Sequence, residues 1–255
     1  MIIEQSEQVM REIRKVFIGK DEIIEKVLMA IYAGGHILLE DAPDLSYRRV
    51  QFTPDTMPSD ITGYSIYNKN TGELEYKPGA ADCHLLLGDE INRTSPKTQA
   101  ALLEVMEEGS VTVDGVSRRV PEPFIVMATQ NPKGSAGTQL LPESQLDRFM
   151  ICMSMGYPEH DAELLIAKGK SVKEAGDSIR PVMNAQGLCD MQREVEQVFV
   201  HDNIYSYIVY LMQATRDNQY IELGVSPRGT IACTKMAKAY AYLEGRNYVV
   251  PDDVT

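Results

Sequence analysis

Hydrophobic and polar positions follow two different rhythms along this chain. Between residues 36 and 155, short apolar runs alternate with helical patterns; after Pro158 only the helical pattern continues. Continuous apolar runs of four to eight residues are what strands look like when a sheet is covered on both faces. His36-Ile37-Leu38-Leu39-Glu40, Leu85-Leu86-Leu87-Gly88-Asp89-Glu90, Phe124–Thr129 and Phe149–Met155 read this way, and Arg49-Val50-Gln51-Phe52-Thr53 reads as a further strand. Helical spacing predicts helices from Met1 to about Val16 (Ile3, Val9, Ile13, Val16) and over Glu22–Tyr32, capped by Asp21 and closed by Gly34-Gly35. Another is predicted over Ser95–Glu108. Two hairpins are predicted: Tyr64–Tyr76, turning through Asn68–Gly72, and Ser110–Val120, turning at Asp114-Gly115.

Beyond Pro158 the patterns at Asp161–Ala175, Leu188–Val198, Ile204–Thr215 and Pro227–Glu244 are all helical. Strand-helix alternation followed by helices alone predicts an α/β domain with a parallel sheet over residues 1–156 and an all-helical domain over 157–255. Val250–Thr255 is expected to begin one more helix, so the second domain is expected to continue past the chain's end.

Composition narrows the function classes. The chain has 255 residues, 44% of them hydrophobic and 24% charged, as in ordinary globular proteins. No apolar run approaches the roughly 20 residues a membrane helix needs. The first residues carry Glu4, Glu7, Arg11, Glu12, Arg14 and Lys15 rather than a signal-peptide core, so a cytoplasmic location is expected. A net charge of −12 counts against a surface that tracks nucleic-acid phosphates. Cys83, Cys152, Cys189 and Cys233 form no C-x-x-C pair, and His36, His84, His160 and His201 show no ligand spacing; both sets read as structural.

The chemistry lies in four polar features. Ligands of α/β sheets bind beyond the carboxyl ends of the strands, which is where Asp89 and Glu90 stand. An aspartate there can hold Mg²⁺, and the next carboxylate can polarise an attacking water. Read alone, the pair is also a strand stopping at two solvated acids. Asn131, after the strand at 124–129, could hold that water or sense a γ-phosphate; it could equally be a turn-forming Asn-Pro. Arg148, in Leu146-Asp147-Arg148-Phe149, could reach a neighbouring subunit's phosphate, or pair locally with Asp147 or Glu143. Arg228, in Ser226-Pro227-Arg228-Gly229, opens a helix whose proline suits the first turn and could face a nucleotide cleft or solvent.

Together these features resemble a MoxR-type AAA+ ATPase of the helix-2-insert branch. The resemblance rests on Gln51-Phe52-Thr53-Pro54-Asp55, Pro58-Ser59-Asp60-Ile61-Thr62-Gly63, Gly88-Asp89-Glu90-Ile91-Asn92-Arg93, Pro96–Glu104, Ala128-Thr129-Gln130-Asn131-Pro132, Leu146-Asp147-Arg148-Phe149 and Ser226-Pro227-Arg228-Gly229, and covers essentially the whole chain. It implies a P-loop-type parallel sheet sandwiched by helices, followed by a helical lid. It further implies ATP and Mg²⁺ as cofactors, Asp89 and Glu90 as the Walker B pair with Asp89 towards the metal, Asn131 as sensor 1, Arg148 as a finger acting in trans and Arg228 as sensor 2. Ile18 and Gly19 would flank the adenine. The two hairpins would be the helix-2 and pre-sensor inserts. The implied activity is ATP hydrolysis coupled to chaperone-like remodelling or maturation of a partner bearing a von Willebrand factor A domain, by a homo-oligomeric ring, with a hexamer expected.

One element of that pattern is missing. The glycine-rich phosphate loop should follow Leu39-Glu40, but Asp41-Ala42-Pro43 runs directly into Asp44-Leu45-Ser46-Tyr47, and no G-x-x-x-x-G-K-[ST] occurs anywhere. Parallel strands need a crossover of about a dozen residues or more, and Asp41–Arg48 is shorter. Either a loop and helix belonging between Pro43 and Asp44 are omitted from this sequence, or the chain is a pseudo-ATPase scaffold with a true deletion. Omission is favoured because the rest of the machinery is intact. A nucleic-acid motor is a further alternative, which the acidic balance disfavours.

Overall fold

The structure, a computed structural model, describes residues 2–14, 20–40, 48–130, 140–157, 160, 163–164 and 180–255. Packing divides the chain into two compact units: His36–Met155, and Met1–Gly35 together with Gly156–Thr255. The expected division at 1–156 and 157–255 differs in its first 35 residues. Helices α1 (Ile2–Arg14) and α2 (Asp21–Tyr32) belong with the C-terminal helices. The physical cause is the apolar face of α2, whose Tyr32 is buried in one cluster with Met191, Val195, Ile208 and Tyr242.

The unit His36–Met155 is built on five parallel strands. These are β1 (Ile37–Glu40), β2 (Arg48–Gln51), β5 (Leu85–Asp89), β8 (Ile125–Gln130) and β9 (Ile151–Ser154), in the order β2-β5-β8-β1-β9. The strands β1 and β2, consecutive in sequence, are separated in the sheet by β8 and β5. Residues 41–47 between them, and with them the expected break after Pro43, lie outside the described residues. Leu38, Phe52, Ile61, Leu86, Leu102, Val126 and Phe149 form the core of this unit. His36 is locked into it: the Val126 amide donates to Nδ1 at 3.0 Å, and Nε2 lies 3.0 Å from the Met106 carbonyl. Burial holds its pKa below the ordinary value, opposed by the bond to Met106, as befits a neutral structural imidazole.

Between β2 and β5 lie α3 (Pro58–Thr62) and the hairpin of β3 (Tyr64–Asn68) and β4 (Glu73–Lys77). Helix α4 (Pro96–Glu108) follows β5. It starts at Ser95, whose hydroxyl accepts the Thr98 amide, and stops at Gly109 in the left-handed conformation. It leads into the hairpin of β6 (Ser110–Val113) and β7 (Val116–Arg119), whose turn residues Asp114 and Gly115 both have positive φ, as a two-residue turn of this type needs. A short α5 (Glu143–Leu146) precedes β9.

In the other unit, α6 (Ala185–Glu196), α7 (Asp202–Arg216) and α8 (Pro227–Leu243) follow the helical expectation closely. Helix α6 begins three residues earlier than predicted because Asn184 caps it, accepting the Gly187 amide at 2.9 Å. Most of the expected helix Asp161–Ala175 lies outside the described residues. The expected helix start at Val250–Thr255 is a single 3₁₀ turn, Pro251–Asp253. Asp253 is held there by Arg246, through bonds of 2.5 and 2.8 Å.

Candidate active site

Strand order brings the candidate chemistry together. With β2, β5 and β8 adjacent and parallel, Gln51 pairs with Asp89 in register and Gly88 pairs with Ala128. The carboxyl ends of three strands therefore carry Arg49 and Gln51, Asp89 and Glu90, and Thr129. Gly88 permits the packing beneath: a Cβ there would lie 3.1 Å from both Ile91 and Phe52 side-chain atoms.

Each acid has its own set of donors. Asp89 receives the Thr129 hydroxyl on Oδ1 at 2.5 Å and the Arg49 guanidinium on Oδ2 at 2.6 Å. Burial tends to raise the Asp89 pKa, but the bonds from Thr129 and Arg49, with the charge of Arg49, outweigh it and hold the carboxyl below its usual range. Asp89 is thus an anion with both oxygens engaged. Glu90 receives Gln51 Nε2 at 2.9 Å and Arg93 Nη1 at 2.7 Å, both on Oε2. Thr129 couples the two acids, since its hydroxyl oxygen also accepts the Glu90 amide at 3.0 Å.

Glu90 has φ +53° and ψ +48°, the left-handed region, which a non-glycine residue enters at a cost. The conformation reverses the chain into the 3₁₀ turn Ile91–Arg93 and turns Arg93 back onto Glu90. The turn is anchored from below. Gln99, buried, donates to the carbonyls of Ile91 and Thr94, and the Thr94 and Thr98 hydroxyls both donate to the Thr56 carbonyl, at 3.2 and 2.8 Å.

The other expected site residues are placed differently. Arg148, between α5 and β9, pairs with Glu107 Oε2 at 2.8 Å and donates to the Leu103 carbonyl at 3.1 Å. Its charged partner is on α4 rather than the local Asp147 or Glu143 that the alternative reading offered. Arg228 is exposed in the first turn of α8, whose cap is Ser226 accepting the Gly229 amide at 3.1 Å; it belongs to the other compact unit. Ile18, Gly19, Asp41, Ala42, Pro43 and Asn131 lie outside the described residues. Among the described residues no three His, Cys, Asp or Glu side chains gather as a metal cage. The roles of Arg49, Gln51 and Thr129 were not legible in the motifs that contain them, because they depend on which strands are neighbours; that of Arg93 depends on the left-handed backbone at Glu90.

An acid pair at the end of a parallel strand, in a sheet of order β2-β5-β8-β1-β9 with a separate set of helices, defines the class of P-loop-type AAA+ proteins. Comparison with known proteins agrees. The family "ATPase family associated with various cellular activities (AAA)" matches residues 36–151, and the AAA lid domain family matches residues 213–255. The chain is 48% identical to the protein YeaC of Bacillus subtilis over 95% of this chain and 80% of that one. It is 34% identical to the chaperone MoxR1 of Mycobacterium tuberculosis, over 97% of this chain and 72% of that one. A crystal structure of a candidate ATPase from Cytophaga hutchinsonii superposes with a TM-score of 0.88 at 34% identity, covering 99% of this chain and 84% of that one. The chain belongs to the MoxR-type AAA+ ATPase family.

Proposed function

We propose that this protein hydrolyses ATP with Mg²⁺ and uses that cycle to remodel or mature a partner protein. The observation that carries the reading is the ionised Asp89 beside Glu90, both held in place at the joined ends of β2, β5 and β8. A single carboxylate suits Mg²⁺, which keeps several waters and takes its remaining ligands from phosphates. When bound with the nucleotide, the metal would neutralise charge building on the phosphate oxygens. Asp89 would hold the metal's shell and Glu90 would polarise the attacking water, with Asn131 holding that water. In the same reading Ile18 and Gly19 flank the adenine, and the phosphates lie beyond Asp41-Ala42-Pro43. Arg228 senses nucleotide within one subunit, while Arg148 serves a neighbour in a homo-oligomeric ring, a hexamer by family resemblance.

The nucleotide is assigned to the sheet unit and the lid role to the helices after residue 156. No described helix is long and apolar enough to cross a membrane, and we place the protein in the cytoplasm. The partner class we propose is a polypeptide bearing a von Willebrand factor A domain, as the family resemblance implies.

The missing phosphate loop bears on this reading. The matches to MoxR1 and to MoxR of Methylorubrum extorquens run over 274 and 292 positions, more than the 255 residues of this chain, so both relatives carry positions this chain does not fill. An omitted loop and a true deletion between Pro43 and Asp44 would both leave such positions unfilled; the intact pair Asp89 and Glu90, with its donors in place, is what favours omission. Intact mass and ATP binding of the protein expressed from its natural gene test it together. A mass above 28.5 kDa with Mg²⁺-dependent ATP binding is the expected result. The calculated mass with no ATP binding would favour the non-hydrolysing scaffold.

A further inference from the structure

We propose that Arg93 is a positioning residue that, together with Gln51, holds one oxygen of Glu90 so that the other is presented to the attacking water. The inference rests on the hydrolysis reading and deepens it. Three observations carry it. Arg93 Nη1 and Gln51 Nε2 both donate to Oε2 of Glu90, at 2.7 and 2.9 Å, and among the described residues none donates a hydrogen bond to Oε1. The two donors come from different elements, one from the strand β2 and one from the turn after β5, so Oε2 is held by two independent parts of the fold. The left-handed backbone at Glu90, pinned by the Thr129 hydroxyl and by the Arg93 amide bonding the Glu90 carbonyl at 2.9 Å, is what brings Arg93 within reach.

A carboxylate on a side chain with several rotatable bonds gains most from being oriented before reaction, since small misplacements cost large factors in rate. Arginine suits the task because its planar donors are fixed relative to one another, whereas a lysine supplies charge without that geometry. Arg93 touches neither the reacting water nor the phosphate in this scheme. It acts through Glu90 alone, and that restriction is what makes it testable.

The test is a double-mutant cycle in the full natural protein, with Arg93→Ala, Arg93→Lys, Glu90→Gln and the double variant Glu90→Gln/Arg93→Ala. Arg93→Ala should lower kcat by roughly 10–100-fold while leaving KM for ATP within about twofold. Arg93→Lys should recover part of the loss. In the Glu90→Gln background, Arg93→Ala should change kcat by less than about twofold, because the group it positions is already gone. A merely structural arginine would cost the same factor in both backgrounds, and that result would overturn the inference, as would a wild-type kcat in Arg93→Ala. A wild-type protein with no turnover overturns the hydrolysis reading itself and this inference with it. The two failures are therefore distinct.

Discussion

At the scale of single residues, the site is organised by a threonine. Thr129 donates to Asp89 and accepts from the Glu90 amide, so one hydroxyl helps, with Arg49, to lower the pKa of one acid and anchors the backbone of the other. Thr129→Val removes both bonds at nearly constant volume. It should cost about 1–3 kcal/mol of stability by leaving the Glu90 amide unsatisfied, measured by urea unfolding at neutral pH. The lowered Asp89 pKa adds a sign. A depressed carboxyl stabilises the fold above its unfolded pKa and loses that contribution as pH falls through the folded value. The gap between wild type and Thr129→Val should therefore narrow in acid.

His36 behaves differently over another range. Its pKa is also lowered, so the neutral form is the folded form, and stability is full above the unfolded value and falls as pH drops below it. Unfolding free energy should decline from about pH 6.5 downward, and His36→Gln should flatten that slope. An equal slope in the variant would remove His36 from the explanation.

At the scale of elements, the two hairpins are joined to each other. The Arg118 guanidinium lies 4.2 Å from the centre of the Tyr76 ring, tying β7 to β4. Arg118 also donates to the carbonyls of Val113 and Val116, and Tyr76 donates to the Thr62 carbonyl at 2.7 Å. The neck of the first hairpin closes where Gly79 meets α3: a Cβ at Gly79 would lie 2.4 Å from the Ile61 carbonyl oxygen and the Gly63 amide. Gly79→Ala must push backbone from backbone, at a cost of about 1–3 kcal/mol. Amide hydrogen exchange should speed up across 64–77 while the sheet strands stay protected. Exchange unchanged across that hairpin would contradict the close approach.

Most of these elements were legible in sequence, and for a physical reason. Leu85–Leu87 and Ile125–Ala128 are apolar without interruption because both faces of the sheet are covered, and Asp114-Gly115 announces its turn because few residues accept positive φ. What stayed hidden depends on neighbours in space. Arg49, Gln51 and Thr129 serve Asp89 and Glu90 only because β2 and β8 flank β5, and no local pattern encodes that order. The ion pair of Arg148 with Glu107 and the grouping of α1 and α2 with the C-terminal helices were hidden for the same reason.

At the scale of the whole molecule, a ring with shared sites predicts complementation. Arg148→Ala should be inactive if the arginine serves a neighbouring subunit, and Glu90→Gln should be inactive in its own. Mixed subunits of the two variants should regain activity, since some sites would then pair an intact Glu90 with a neighbour's intact Arg148. Mixtures as inactive as their components would place Arg148 in its own subunit, consistent with its hold on Glu107.

In the proposed reaction Glu90 activates water at a nucleotide held beside Asp89. The most direct measurement compares ATP binding and phosphate release for wild type and Glu90→Gln in the presence of Mg²⁺. Binding should be close to wild type, while release should slow on the order of 10²–10⁴-fold. Phosphate release by Glu90→Gln at the wild-type rate would contradict it.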